Sequence, residues 1–114
     1  MITKKIIITG GATRIGAAIA KSLADYETAI TIHYNTSKES ALKLKKELEN
    51  LGSEVYLLKA DLNNLKQTQT LLKLAYKKMK GLNCLINNAS LFENDNLYNF
   101  TEKSFTKHLN INLK

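Results

Sequence analysis

The chain has no proline and no tryptophan, one cysteine, five glycines, and ten acidic residues against seventeen basic ones. A lone Cys84 cannot close an internal disulfide, no metal is expected, and thiol use this sparse fits a reducing compartment. No Ser/Pro-rich linker, low-complexity tract or internal repeat divides the sequence, so residues 1–114 are expected to form a single unit. No signal peptide and no apolar run of membrane-spanning length precedes the first strand, so a cytoplasmic location without a membrane partner is expected. Aromatic residues make up only 7%, and the lysines lie singly or in pairs rather than massed among aromatics. The net charge of +7 is therefore not the footprint of a nucleic-acid interface, and no nucleic-acid partner is expected.

What is present is an alternation of strand-like and helix-like segments from end to end, the pattern of a parallel sheet. Strands are predicted at 4–9, 28–34, 54–59 and 82–87. Between the first two, Ile15, Ala18, Ile19, Ser22 and Leu23 fall at helical spacing. Ser37 is the expected N-cap of the next helix, whose stripe is Ala41, Leu44, Leu48 and Leu51 and whose end is Gly52. Leu65, Thr68, Leu72, Ala75 and Met79 form a third stripe, closed by Gly81. A last helix begins near residue 101 and is still running at Lys114. Right-handed crossovers order the four strands 3-2-1-4, giving an α/β fold that is the N-terminal half of a Rossmann doubly wound parallel sheet.

The first strand runs directly into Thr9-Gly10-Gly11-Ala12-Thr13-Arg14-Ile15-Gly16 and then into an alanine-rich helix. A helix N-terminus carries unpaired N–H groups and partial positive charge, so a pyrophosphate can sit there when no side chain blocks it. Gly10 and Gly16 are expected to supply that clearance. At the end of the second strand the chain reads Ile32-His33-Tyr34-Asn35-Thr36-Ser37, with no acid before Glu39. An NAD-preferring site places Asp or Glu there to accept the ribose hydroxyls, whereas nothing in this stretch repels a 2′-phosphate. Asp61 alone reads as the N-cap region of the following helix, Cys84 as a small core residue, and His108 as a solvent-side residue of the last helix. Tyr76 and Lys80, four positions apart, read as part of a solvated helical face.

Four features, the 9–16 turn, Asp61-Leu62, Asn87-Asn88-Ala89-Ser90 and Asn112-Leu113, resemble the N-terminal half of the short-chain dehydrogenase/reductase family. Within it the chain looks most like pteridine and dihydromonapterin reductases. The resemblance spans essentially the whole sequence and implies an NADP(H) cofactor and a small-molecule, pterin-like substrate. Gly10, Arg14, Ile15 and Gly16 would then meet the pyrophosphate, with Arg14 standing where most members have glycine and also facing substrate. His33 and Ser37 would contact the 2′-phosphate. Thr36 departs from the pattern, since those enzymes often have a basic residue there. Asp61 and Leu62 would meet the adenine, and Asn88, Ala89 and Ser90 would lie along the nicotinamide ribose. Ser90 and Phe92 would bond and stack a pterin, and Asn112, or Asn110 if the alignment slips, would be the catalytic-site asparagine.

The same resemblance calls for a catalytic Tyr-x-x-x-Lys that would lie beyond Lys114, and Tyr76 with Lys80, on the third helix, is not expected to stand in for it. The expectation is a cofactor-binding half truncated before the catalytic half, binding NADP(H) weakly or not at all and inactive alone. Homo-oligomers form in the intact family. Two alternatives stay open: a non-catalytic nucleotide-binding or interaction module, and a ketone or acyl-carrier reductase of the same family.

Overall fold

A computed structural model describes residues 1–88. Its elements are β1 (Lys4–Thr9), α1 (Arg14–Leu23), β2 (Thr28–Tyr34), α2 (Lys38–Asn50), β3 (Glu54–Lys59), α3 (Leu65–Met79) and β4 (Cys84–Asn87). All strand pairs are parallel and the order is β3-β2-β1-β4, as the alternation predicts. β4 starts two residues later than expected. Parallel strands with helices on both faces are apolar on both sides. In β1 Ile7 packs with α3 and β4 on one face, while Ile6 and Ile8 pack with α1 and α2 on the other. β2 alternates likewise, Ala29 facing α3 while Ile30 and Ile32 face α1 and α2.

The helices sit close to their predicted spans, α3 burying Thr68, Leu72, Ala75 and Met79 as expected, but α1 is rotated. The inner face of α1 is Gly16 and Ala20, with Ala17, Ile19 and Leu23 half-buried, while Ile15, Ala18 and Ser22 are exposed. That rotation follows from Gly16, which is pressed against the β1 turn and fixes which side of the helix faces the sheet. In α3, Leu71 is buried and Leu65 is exposed. In α2, Ala41, Leu44 and Leu48 are buried as expected, whereas Leu51 at the C-cap is exposed. Gly52 has the left-handed φ of +102° that the helix end requires. Lys80 at φ +60° shares the end of α3 with Gly81.

Caps differ from expectation as well. Ser37 holds the N-cap position of α2, yet its hydroxyl makes no capping bond. Asn64, not Asp61, caps α3: Asn64 Oδ1 accepts from the Gln67 N–H, and Gln67 Oε1 accepts from the Asp61 N–H. Only half of a capping box forms, since the Asn64 N–H is bonded to the Asp61 carbonyl and Gln67 reaches back past it to Asp61. Asp61 instead closes the preceding turn by accepting from the Asn63 N–H. Cys84, the first residue of β4 at the edge of the described sheet, is exposed rather than in the core.

Thr31, fully buried in β2, has a hydroxyl with no hydrogen-bond partner among the described residues. An unpaired buried hydroxyl is destabilising, and valine has nearly the same shape without it. Thr31→Val should therefore raise stability by about 1 kcal/mol, seen as a melting point several degrees higher. A fall would show that the hydroxyl has a partner.

Candidate active site

The C-terminal ends of β1, β2 and β4 meet around the glycine turn. Gly10 turns the chain with φ +62°, a left-handed conformation that glycine adopts without steric cost. Thr13 then caps α1: its Oγ1 accepts from the Gly16 N–H at 3.1 Å and donates to the Gly10 carbonyl at 2.8 Å. Asn88, just past β4, staples the same turn. Its Nδ2 donates to the Gly10 carbonyl at 3.0 Å and to Thr13 Oγ1 at 2.9 Å. Thr9 Oγ1 donates to Asn87 Oδ1 at 2.8 Å and accepts from the Asn88 N–H at 3.2 Å, so β4 and β1 end in one network.

Gly16 does a different job from the one expected. A Cβ on it would lie 2.5 Å from the Gly10 carbonyl oxygen, 2.7 Å from Gly11 Cα and 2.9 Å from Asn88 Nδ2. The space freed by its missing side chain is filled by the protein's own turn rather than left for a ligand.

His33 is likewise reassigned. Its ring is buried, with Nδ1 accepting from the Gly10 N–H at 2.9 Å and Nε2 paired with the Ala60 carbonyl at 2.8 Å. A carbonyl only accepts, so Nε2 carries the proton and the ring is the neutral Nε2–H tautomer. Both nitrogens are spent inside the protein, leaving neither for a phosphate. Burial holds the His33 pKa below the ordinary 6.5, with the Ala60 bond opposing.

An open cleft of about 570 Å³ lies over this network. It is lined by Gly10, residues 12–15, residues 33–37 and Asn88. Thus Gly10, Arg14, Ile15, His33, Ser37 and Asn88 come together as the sequence predicts, whereas Asp61 and Leu62 do not line it. They sit beyond the Ala60 contact of His33, with Leu62 packed on the α3 cluster. Ala89, Ser90, Phe92, Asn110 and Asn112 lie outside the described residues, as do His108 and the helix expected from residue 101. Thr13 escaped the sequence reading, although a threonine three residues before a helical N–H is a capping signal. Among the described residues no three His, Cys, Asp or Glu side chains are grouped to hold a metal, and no helix is long and apolar enough to cross a membrane.

The donors left over define what the cleft can hold. The N–H groups of Gly10, Gly11, Thr13 and Gly16 are all bonded within the protein. Those of Arg14 and Ile15, the first two helical positions, have no acceptor among the described residues. Both residues line the cleft, the Arg14 side chain is exposed, and among the described residues no carboxylate lines it. Such a helix start suits an anion.

A parallel sheet ordered 3-2-1-4 with a capped glycine turn at the carboxyl end of its first strand defines the dinucleotide-binding half of a Rossmann fold. The short chain dehydrogenase family model matches residues 4–114, and the chain belongs to that family. It is 33% identical over 111 residues to a short-chain dehydrogenase/reductase of Pestalotiopsis microspora, covering 97% of this chain and 42% of that protein. It is 26% identical over 113 residues to the 3-oxoacyl-[acyl-carrier-protein] reductase FabG of Staphylococcus aureus, covering 99% and 46%. Among solved structures, a short-chain dehydrogenase/reductase from Serratia marcescens superposes with a TM-score of 0.74 at 31% identity, over 80% of this chain and 37% of that one. A putative dehydrogenase from Burkholderia cenocepacia with bound NADP superposes at 0.69 with 27% identity, over 75% and 34%. The chain spans less than half the length of these relatives.

Proposed function

We propose that this chain is the NADP(H)-binding half of a short-chain dehydrogenase/reductase that reduces a small unsaturated substrate, pterin-like in class. The observation that carries the cofactor reading is the β2 end of the cleft: residues 33–37 line it without a carboxylate, and the Ser37 hydroxyl is not used for capping. The N–H groups of Arg14 and Ile15, with the Arg14 guanidinium, would hold the pyrophosphate through charge-assisted bonds. Ser37 and the start of α2 would hold the 2′-phosphate. When bound, the nicotinamide supplies the hydride; the described residues bind and orient it. The pterin class rests on Arg14 and on the resemblance at Ser90 and Phe92. The FabG relative favours an acyl-carrier substrate as the second reading.

Amide-shift titrations of the chain with NADPH and NADH test the cofactor reading. NADPH should bind more tightly, and Asn35→Asp, which sets a carboxylate beside the 2′-phosphate, should weaken NADPH by about tenfold, roughly 1.4 kcal/mol, while sparing NADH. Equal loss for both cofactors rejects the reading. With NADPH present, binding of a pterin but not of a 3-oxoacyl thioester supports the first substrate class, and the reverse result supports the second.

A further inference from the structure

We propose that His33 is a positioning residue for the dinucleotide turn: its ring holds Gly10 on one side and Ala60 on the other, fixing the turn against the end of β3. The proposal rests on reading the cleft as a dinucleotide site. His33 grips the turn twice, because its main-chain carbonyl also accepts from the Gly11 N–H at 3.0 Å. Both amides at the left-handed corner of the turn are therefore held by one residue of β2. The far side of the ring reaches the Ala60 carbonyl, and Ala60 in turn donates its N–H to the Tyr34 carbonyl at 3.1 Å. Asp61 and Leu62 follow immediately. A single buried ring thus spans from the pyrophosphate turn to the corner where the chain leaves β3.

This arrangement works in only one protonation state. A proton on Nδ1 would point a second donor at the Gly10 N–H, and that contact would be lost. Burial disfavours the charged ring, so the neutral tautomer persists below the ordinary histidine range. No charge substitutes for burial as the cause. Arg14 lies beyond the turn, and Lys59 and Asp61 flank Ala60. Lys4 and Lys5 lie at the opposite end of β1, Glu54 starts β3, and Lys66, Lys73, Lys77 and Lys78 of α3 are exposed.

The sign of the pH effect follows. Because the folded pKa is lowered, the unfolded chain binds the extra proton first. The contribution of His33 is complete above about pH 6.5 and is lost as pH falls below it.

Nitrogen-15 spectra of the ring and of the Gly10 amide, recorded on the full chain without nucleotide from about pH 8 to about pH 5, test this directly. The expected result is the Nε2–H tautomer alone near neutrality, titration below the ordinary range, and a Gly10 amide that shifts in the same titration. An Nδ1–H tautomer, or a Gly10 amide indifferent to the ring, would overturn the proposal. Two variants then separate the contacts. His33→Asn keeps an acceptor at the Nδ1 position but gives up the Ala60 bond and cannot titrate, so its NADPH affinity should fall less than that of His33→Gln and lose its acid dependence. His33→Gln reaches Ala60 but leaves the Gly10 N–H unpaired, and should weaken NADPH about tenfold. Wild-type affinity in His33→Gln would also overturn the proposal. If the wild-type chain alone binds no dinucleotide, the ring and Gly10 spectra still decide the role of His33 in the turn.

Discussion

Gly16→Ala will destabilise the chain by about 2 kcal/mol and abolish dinucleotide binding, although alanine is the better helix former. Helix propensity alone favours alanine at an interior helical position by about 1 kcal/mol. The new methyl, however, would sit 2.5 Å from the Gly10 carbonyl oxygen and 2.7 Å from Gly11 Cα. Both are backbone atoms, which cannot swing aside as the end of a long side chain can. Relief requires α1 to back away from the turn. That movement stretches the Thr13 cap and the two Asn88 bonds, which hold the turn to α1 and to β4. Thermal unfolding should show a midpoint lower by about 10 °C. A variant as stable as wild type, or more so, would mean that the helix start is not packed against the turn as described.

Ile32→Ala should cost more, about 3 to 4 kcal/mol, because it empties a fully buried site in the central sheet. Ile32 lies in the cluster formed by α1, α2 and the sheet, and its Cγ2 and Cδ1 lie 3.0 and 3.1 Å from where a Gly11 Cβ would be. It therefore floors the turn as well as filling the core. A loss of that size is a large share of the stability of a domain this small. Urea unfolding should show a lower midpoint with an unchanged slope. Ile15→Ala is the matched control. Ile15 is 67% exposed and lines the cleft, so its truncation should leave stability within about 0.5 kcal/mol of wild type. Equal losses in the two variants would contradict the rotation of α1 described above.

The strands, their order and the helix spans were legible because hydrophobic period, glycine placement and the right-handed crossover rule all act locally or nearly so. Helix rotation was less legible. Ile15 and Leu65 fit helical stripes by spacing, yet both are exposed, and Ile15 lines the cleft instead. Gly16 and Leu71 take the inner positions instead.

The site divides in the same way. Composition and motif spacing by themselves determined the parallel α/β class, the place of the glycine turn between β1 and α1, and a β2 end without an acid, because each depends on residue types a short distance apart in sequence. The tertiary structure alone decided that Gly16 makes room for backbone rather than ligand, that Asn88 staples the turn, and that His33 is buried between Gly10 and Ala60. The His33 and Asn88 contacts join residues 23 to 78 positions apart. Which of two hydrogen-bond partners a ring or amide chooses is set by the packing of the sheet, and no local pattern encodes that distance.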